Sequence, residues 1–108
     1  MEMPLEKMRA TARNAEGLLK QLANEHRLLV LCQLADGERS VGELASTTSL
    51  AQSALSQHLA RLRLHGLVET RRERQSIYYS LKGDTTKRII GLLYDLYCGP
   101  GADGTSAV

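Results

Sequence analysis

The spacing of the apolar residues changes twice along this chain of 108 residues. Up to Gly66 they recur every three or four positions, which is the period of an amphipathic helix. From Val68 to Leu81 they alternate with polar residues, as is typical of strands, and after Gly83 the helical period returns. This order predicts a mostly α-helical domain with a small β-hairpin inserted before the last helix.

Four helical segments precede the hairpin. The first covers residues 5–22, and the second follows Asn24, a good N-cap. Ser40 begins the third, with Glu43 as the partner of a capping box. The fourth covers about residues 51–65. Because a short polar turn separates the third and fourth helices, the pair is predicted to form a helix-turn-helix unit.

The last helix carries two apolar faces. One face is formed by Ile89, Leu92, Leu93 and Leu96, and the other by Ile90, Tyr94 and Tyr97. A domain this small covers only one of them, so a second copy of the chain is expected on the other. We therefore predict a homodimer formed through the first and last helices.

The composition excludes several classes of protein. No segment has the length and apolar character of a membrane span or a secretory signal, so a cytoplasmic protein without a membrane partner is expected. Cys32 and Cys98 are too few and too far apart for a disulfide scaffold, and we expect reduced thiols. The three histidines lack the spacing of catalytic or metal sites, so we predict no enzyme, no cofactor and no metal.

The fourth helix separates leucines from short hydrogen-bonding side chains. Glutamine pairs well with adenine edges, serine donates or accepts at several bases, and a recognition helix enters the major groove with its first turns. The predicted DNA-contacting residues of this helix are Gln52, Ser53, Ser56, Gln57 and His58. The alternative is a solvated polar helix face.

Basic residues are concentrated in one segment, although the net charge of the chain is only +2. Guanidinium groups suit phosphate oxygens, so these residues are predicted to contribute affinity more than sequence preference. The arginines are Arg61, Arg63, Arg71, Arg72 and Arg74. The hairpin tip, which includes Gln75, is expected to reach the neighbouring minor groove. An ordinary charged hairpin is the alternative.

Residues 50–63, with the sequence LAQSALSQHLARLR, resemble the recognition helix of the ArsR/SmtB family. The similarity extends from Leu18 to Cys98. It implies a dimeric winged helix-turn-helix repressor that an inducer releases from double-stranded operator DNA. We expect residues 1–98 to form this DNA-binding and dimerisation domain and residues 99–108 to be a disordered tail.

The metal-binding motifs of the family are replaced here. Ser40 and Gly42 stand at the cysteine positions of the third helix, and residues 84–86 read Asp-Thr-Thr where other members have Asp-x-His. Cys32 and Cys98 instead resemble the dithiol of the sulfur-sensing branch, called BigR-like or SqrR-like, and HlyU looks equally similar. The resemblance implies that reactive sulfur species or an oxidant links these thiols and releases the DNA.

Four other interpretations stay open. In the first, Cys32, which is predicted to point inward, is a core residue and Cys98 is incidental. In the second, Cys98 and Asp95 bind a metal that regulates DNA binding. A thiol enzyme is a third interpretation, although no oxyanion or substrate motif accompanies either cysteine. The fourth is a positive regulator that displaces a silencing protein, as the HlyU resemblance permits.

Overall fold

The computed structural model describes residues 3–99 of the chain. Its elements are α1 (Leu5–Leu22), α2 (Glu25–Ala35), β1 (Arg39–Ser40), α3 (Val41–Thr48), α4 (Gln52–Leu64), β2 (Val68–Glu73), β3 (Ser76–Leu81) and α5 (Thr85–Cys98). The predicted winged helix-turn-helix architecture is confirmed. Of the predicted tail, residues 100–108 lie outside the described residues.

Side-chain caps begin two of the helices where the sequence predicts them. The Asn24 side chain accepts a hydrogen bond from the Arg27 backbone N–H at 3.0 Å. Ser40 and Glu43 form a reciprocal capping box, with distances of 3.2 Å and 2.9 Å. Asp84 stands at the N-cap of α5, but its side chain makes no capping hydrogen bond.

A third strand that the residue pattern did not predict joins the hairpin. Arg39 and Ser40 of β1 pair antiparallel with Tyr79 and Tyr78 of β3, and the strand order is β1-β3-β2. Two residues are too few to show an alternating pattern, so this strand has no sequence signature. It connects the start of α3 directly to the hairpin.

The core joins the helices to the base of the hairpin. Its most deeply buried side chains are Val30, Leu31, Leu44, Leu55, Leu59, Leu62 and Val68. Burial of apolar surface on this scale is the main favourable term in folding. From α5, Ile90 enters the core, with Ile89 and Leu93 packed beside it.

The two apolar faces predicted for α5 are wrong in their membership, because residues from both predicted faces pack on the core. Ile90 is buried, whereas Leu92 and Leu96 are exposed. Since most of the helix surface is apolar, the sequence pattern does not distinguish the inward face from the outward one.

Two helices leave a large apolar surface uncovered. The exposed side chains on α1 and α5 are Leu5, Met8, Leu19, Leu92, Tyr94, Leu96 and Tyr97. Large apolar side chains left exposed on helices are typical of protein-protein contact surfaces. Within residues 3–99, no helix combines the length and the apolar character needed to cross a bilayer.

Candidate nucleic-acid interface and thiol pair

Helix α4 separates its apolar and polar side chains as its sequence predicts. Leu55, Leu59 and Leu62 are each no more than 1% exposed and hold the helix on the core. The hydrogen-bonding side chains on its other sides are exposed; these are Gln52, Ser53, Ser56 and Gln57. Because they occupy the first two turns, the part of α4 that a groove would meet first presents amides and hydroxyls.

A tight turn joins α3 to α4. Thr48, buried at the end of α3, donates its hydroxyl to the Leu44 carbonyl at 2.8 Å. Ser49 then adopts a left-handed conformation with φ of 58°, which ends α3. Only Leu50 and Ala51 separate this turn from Gln52, so α3 and α4 form a compact helix-turn-helix unit.

The hairpin of β2 and β3 forms the wing. Glu73 pairs with Ser76, which places Arg74 and Gln75 at the tip. Arg74 has a positive φ of 58°, a conformation that favours glycine. The predicted wing residues Arg72, Arg74 and Gln75 are all exposed. Their side chains are therefore accessible to a ligand beyond the tip.

Arg71 differs from the other predicted phosphate contacts because carboxylates already occupy its guanidinium group. It donates two hydrogen bonds to Glu38, at 2.9 Å and 2.7 Å, and a third to Glu73 at 2.8 Å. The guanidinium carbon also lies 4.9 Å from the centre of the Tyr78 ring. These contacts connect the wing to the segment just before β1.

The Arg71 ion pairs change the acidity of their members. Hydrogen bonds from Arg71 hold the pKa of Glu38 below its usual value, and the partnership with Glu38 and Glu73 raises the pKa of Arg71. By contrast, Arg61, Arg63, Arg72 and Arg74 form no salt bridge with any residue in the range 3–99. Those four arginines keep their charge available for phosphate.

His58 is only partly exposed and packs against a second histidine. Its ring centre lies 5.9 Å from that of His26 on α2. Burial lowers the pKa of His58, and the nearby Arg27, His26 and Arg61 lower it further. The structure therefore places the partly buried His58 ring among basic side chains, next to the exposed Gln57.

Cys32 and Cys98 are both exposed free thiols. The prediction that Cys32 points inward is wrong, because its neighbour Leu31 takes the fully buried position on α2. Partial burial of the thiol raises the pKa of Cys32, and negative charge on Cys98 and Asp36 raises it further. Cys32 lies in the last turn of α2, and Cys98 is the last residue of α5.

A cleft beside Cys32 separates α2 from α5. Its volume is about 530 Å³, and its lining includes Cys32, Asp36, Lys87, Ile90 and Tyr94. A small reagent therefore has access to the Cys32 sulfur from this side.

The family model described as "Bacterial regulatory protein, arsR family" matches residues 24–70. The transcriptional activator HlyU of Vibrio cholerae is 53% identical over 96 residues, covering 89% of this chain and 89% of that protein. The chain belongs to the ArsR family. The biofilm growth-associated repressor of Agrobacterium fabrum is another relative of this ArsR-family protein, 46% identical over 92% of this chain and 85% of its own length.

Solved structures agree with this assignment. Reduced HlyU from Vibrio cholerae superimposes with a TM-score of 0.84 at 53% identity, covering 87% of this chain and 99% of that one. A homodimeric winged helix-turn-helix DNA-binding domain from Mycobacterium bovis gives a TM-score of 0.74 at 34% identity, covering 86% of both chains. This ArsR-family protein therefore shares its fold with both.

Two sets of residues at this interface were missed by the sequence analysis. Glu38 and Tyr78 hold Arg71, and His26 and Arg27 surround His58. Both sets join residues far apart in sequence, so no local motif signals them. Within the described part of this ArsR-family chain, no group of three or more histidine, cysteine or acidic side chains is arranged to hold a metal ion.

Proposed function

We propose that this ArsR-family protein is a homodimer that binds double-stranded operator DNA and acts by default as a repressor. The observation that carries the proposal is that α4 buries three leucines on one side and exposes short hydrogen-bonding side chains on another. The buried leucines are Leu55, Leu59 and Leu62, and the exposed residues are Gln52, Ser53, Ser56 and Gln57. Inserted into the major groove, the amide of Gln57 would pair with an adenine edge. The serine hydroxyls would contact neighbouring bases or phosphates.

The free arginines would supply most of the affinity. Arg61 and Arg63 on α4, and Arg72 and Arg74 on the wing, are exposed and suited to phosphate oxygens. Arg71 takes a different role, since its guanidinium group is held by two carboxylates. It would position the wing, from which Arg74 and Gln75 reach the adjacent minor groove.

The uncovered apolar surface of α1 and α5 supports the homodimer. Leu5, Leu92, Tyr94 and Leu96 are each at least 49% exposed in the single chain. A second copy that buries these side chains would remove the apolar surface from water and place two α4 helices in successive major grooves. The domain from Mycobacterium bovis, which has the same fold and is homodimeric, supports the proposal of a dimer.

Base recognition by Gln57 is tested with variants and altered operators. Gln57→Ala should lose about 1–3 kcal/mol of discrimination at one base pair while keeping its affinity for unrelated duplexes. Asn14→Ala, which removes an exposed amide from α1, is the matched control and should discriminate as the wild type does. If Gln57→Ala retains the full preference at every operator position, α4 does not read bases in the proposed way.

We further propose that Cys32 and Cys98 form a dithiol switch that releases the operator in response to reactive sulfur species or oxidants. Both thiols are exposed and belong to the same chain, and negative charge on Cys98 contributes to the raised pKa of Cys32. A bond between them would tie α2 to α5, and α5 also carries the apolar surface of the dimer. Such a bridge would therefore change the spacing of the two α4 helices.

The chemistry needs only a donor of sulfane sulfur. Cys32 thiolate attacks the outer sulfur of an organic persulfide and releases the corresponding thiol, which leaves a persulfide on Cys32. Cys98 thiolate then attacks the inner sulfur and expels hydrogen sulfide. The two protein thiols are oxidised to a disulfide, and the sulfane sulfur is reduced. Hydrogen peroxide would give the same bridge with two molecules of water.

The switch is tested by intact mass and operator binding after treatment with an organic persulfide. Wild type should lose two hydrogen atoms and release DNA, whereas Cys32→Ser and Cys98→Ser should stay bound. If either single variant still releases DNA as the wild type does, the dithiol mechanism is wrong. Repeated turnover of the donor would instead point to a thiol enzyme.

The similarity to the activator HlyU favours a second outcome, in which the same DNA binding raises expression by displacing a silencing protein. Reporter expression in a deletion strain separates the two. Repression predicts a rise when the gene is lost, and displacement of a silencer predicts a fall.

A further inference from the structure

Four basic side chains line one cleft between α2 and α4. The cleft has a volume of about 540 Å³ and is lined by Arg27, Gln57, His58, Arg61 and His65, among others. The ring of His26, which is not part of the lining, lies 5.9 Å from that of His58 between ring centres. The cleft thus combines two permanent guanidinium charges with two imidazoles.

Arg27 is held rigidly at the edge of this cleft. Its Nε donates to the Gln21 carbonyl at 2.7 Å, and one terminal nitrogen donates to the Lys20 carbonyl at 2.9 Å. These bonds use two of the five N–H donors of the guanidinium group and leave the others free. The end of α1 therefore fixes Arg27 in place and leaves part of its donor set to face the cleft.

Within the described part of the chain, no acidic side chain forms an ion pair with these basic groups. Neither Arg27 nor Arg61 forms a salt bridge with any of residues 3–99, and Glu25, which precedes His26, is exposed and pairs with neither. The charged groups that influence Arg27 and His58 are all basic. Like charges held together in this way repel one another, and an anion between them would relieve the repulsion.

We propose that the cleft lined by Arg27, His58 and Arg61 binds a phosphate group. Fixed guanidinium donors and a ring nitrogen suit the oxygens of phosphate. Gln57, a proposed base-reading residue, lines the same cleft, so a backbone phosphate of the operator is one source and a free phosphate ion is the other. The DNA source rests on the proposed function, whereas the free ion does not.

Phosphate binding should be coupled to protonation of His58. In the free protein, burial and the surrounding Arg27, His26 and Arg61 hold the pKa of His58 below its ordinary value. A bound phosphate adds negative charge and raises that pKa, so His58 takes up a proton on binding. The gain in affinity is complete below the pKa of the free protein, and it is lost as the pH rises through the pKa of the complex.

The first experiment measures operator affinity between pH 5.5 and pH 8 by fluorescence anisotropy. Wild type should bind more tightly as the pH falls, by about tenfold for each pKa unit that the phosphate adds. His58→Gln and Arg61→Gln should lose this pH dependence. Arg63→Gln removes the same charge from the same helix outside the cleft, so it should weaken binding but keep the pH dependence.

The second experiment titrates the protein without DNA with inorganic phosphate at constant ionic strength and follows the histidine ring signals by NMR. A phosphate-dependent shift at His58 that Arg61→Gln abolishes supports capture of a free ion. If the pH dependence appears only in operator binding, the bound phosphate belongs to the DNA backbone.

If neither experiment shows an effect of His58→Gln or Arg61→Gln, the proposal of a phosphate site is wrong. Failure of the wild type to bind any operator would instead contradict the proposed function and leave the NMR titration as the test of the cleft.

Discussion

At the scale of single residues, the protonation of Cys32 determines how fast the proposed switch responds. Thiolate is the nucleophile, and both burial and negative charge on Cys98 and Asp36 raise the pKa of Cys32. A raised pKa keeps most of the thiol protonated near neutral pH. The small thiolate fraction slows its reaction with electrophiles near neutral pH.

The rate of Cys32 alkylation should report this raised pKa. Measured by mass spectrometry against pH, the midpoint should lie above the ordinary thiol value. Cys98→Ser removes one source of negative charge and should move the midpoint down. The control is Lys87→Gln. It changes another residue that lines the cleft beside Cys32 and keeps both thiols and Asp36 in place. An unchanged midpoint in Cys98→Ser would show that the two thiols do not interact.

At the scale of elements, the wing is attached to the rest of the domain by charge as well as by strand pairing. Arg71 on β2 is clamped between Glu38 and Glu73, while β1 pairs with β3 next to it. Exposed ion pairs contribute little to global stability. Their role here is to orient the hairpin, whose tip carries the proposed minor-groove residues.

Breaking the clamp should loosen the wing without unfolding the domain. Glu38→Gln should raise hydrogen exchange in β2 and β3 and weaken operator binding a few-fold, with little change in thermal stability. The matched control is Glu69→Gln, which removes an exposed carboxylate from β2 itself. Exchange in the wing that is equal in both variants would contradict this role for Glu38.

The clamp also has a predictable pH dependence. Because the pKa of Glu38 is depressed, the pair is fully formed above the ordinary glutamate value. It is lost as the pH falls through the depressed pKa. Wing protection from exchange should therefore decrease only at strongly acidic pH.

Local patterns predict most of these elements, whereas contacts between distant residues escape them. The capping box of Ser40 and Glu43 and the buried leucines of α4 were predicted and are confirmed by the structure. The strand β1 and the pairing of Glu38 with Arg71 depend on residues more than thirty positions apart. No periodicity within one segment contains that information.

At the scale of the whole molecule, the proposed binding to two successive major grooves requires a dimer. Leu96 on α5 is 49% exposed in the single chain, and a charge there would be buried against the second copy. Leu96→Glu should therefore shift the protein to monomers in sedimentation velocity and reduce operator binding.

A control for the dimer test lies on α4. Leu64 is 82% exposed but lies outside α1 and α5, so Leu64→Glu should leave the sedimentation unchanged. If Leu96→Glu stays dimeric at the concentrations at which the wild type is dimeric, α5 does not form the interface.

The central claim is that α4 and the wing bind DNA, and the salt dependence of operator binding tests it most directly. Reduced wild-type protein should bind a duplex from upstream of its own gene, and affinity should fall steeply with salt, with a slope of about −0.9 per phosphate contact. Arg74→Gly, which suits the positive φ at the tip, should reduce that slope by about one for each subunit. If the reduced wild type shows no salt-sensitive association with this duplex even at low ionic strength, the account is contradicted.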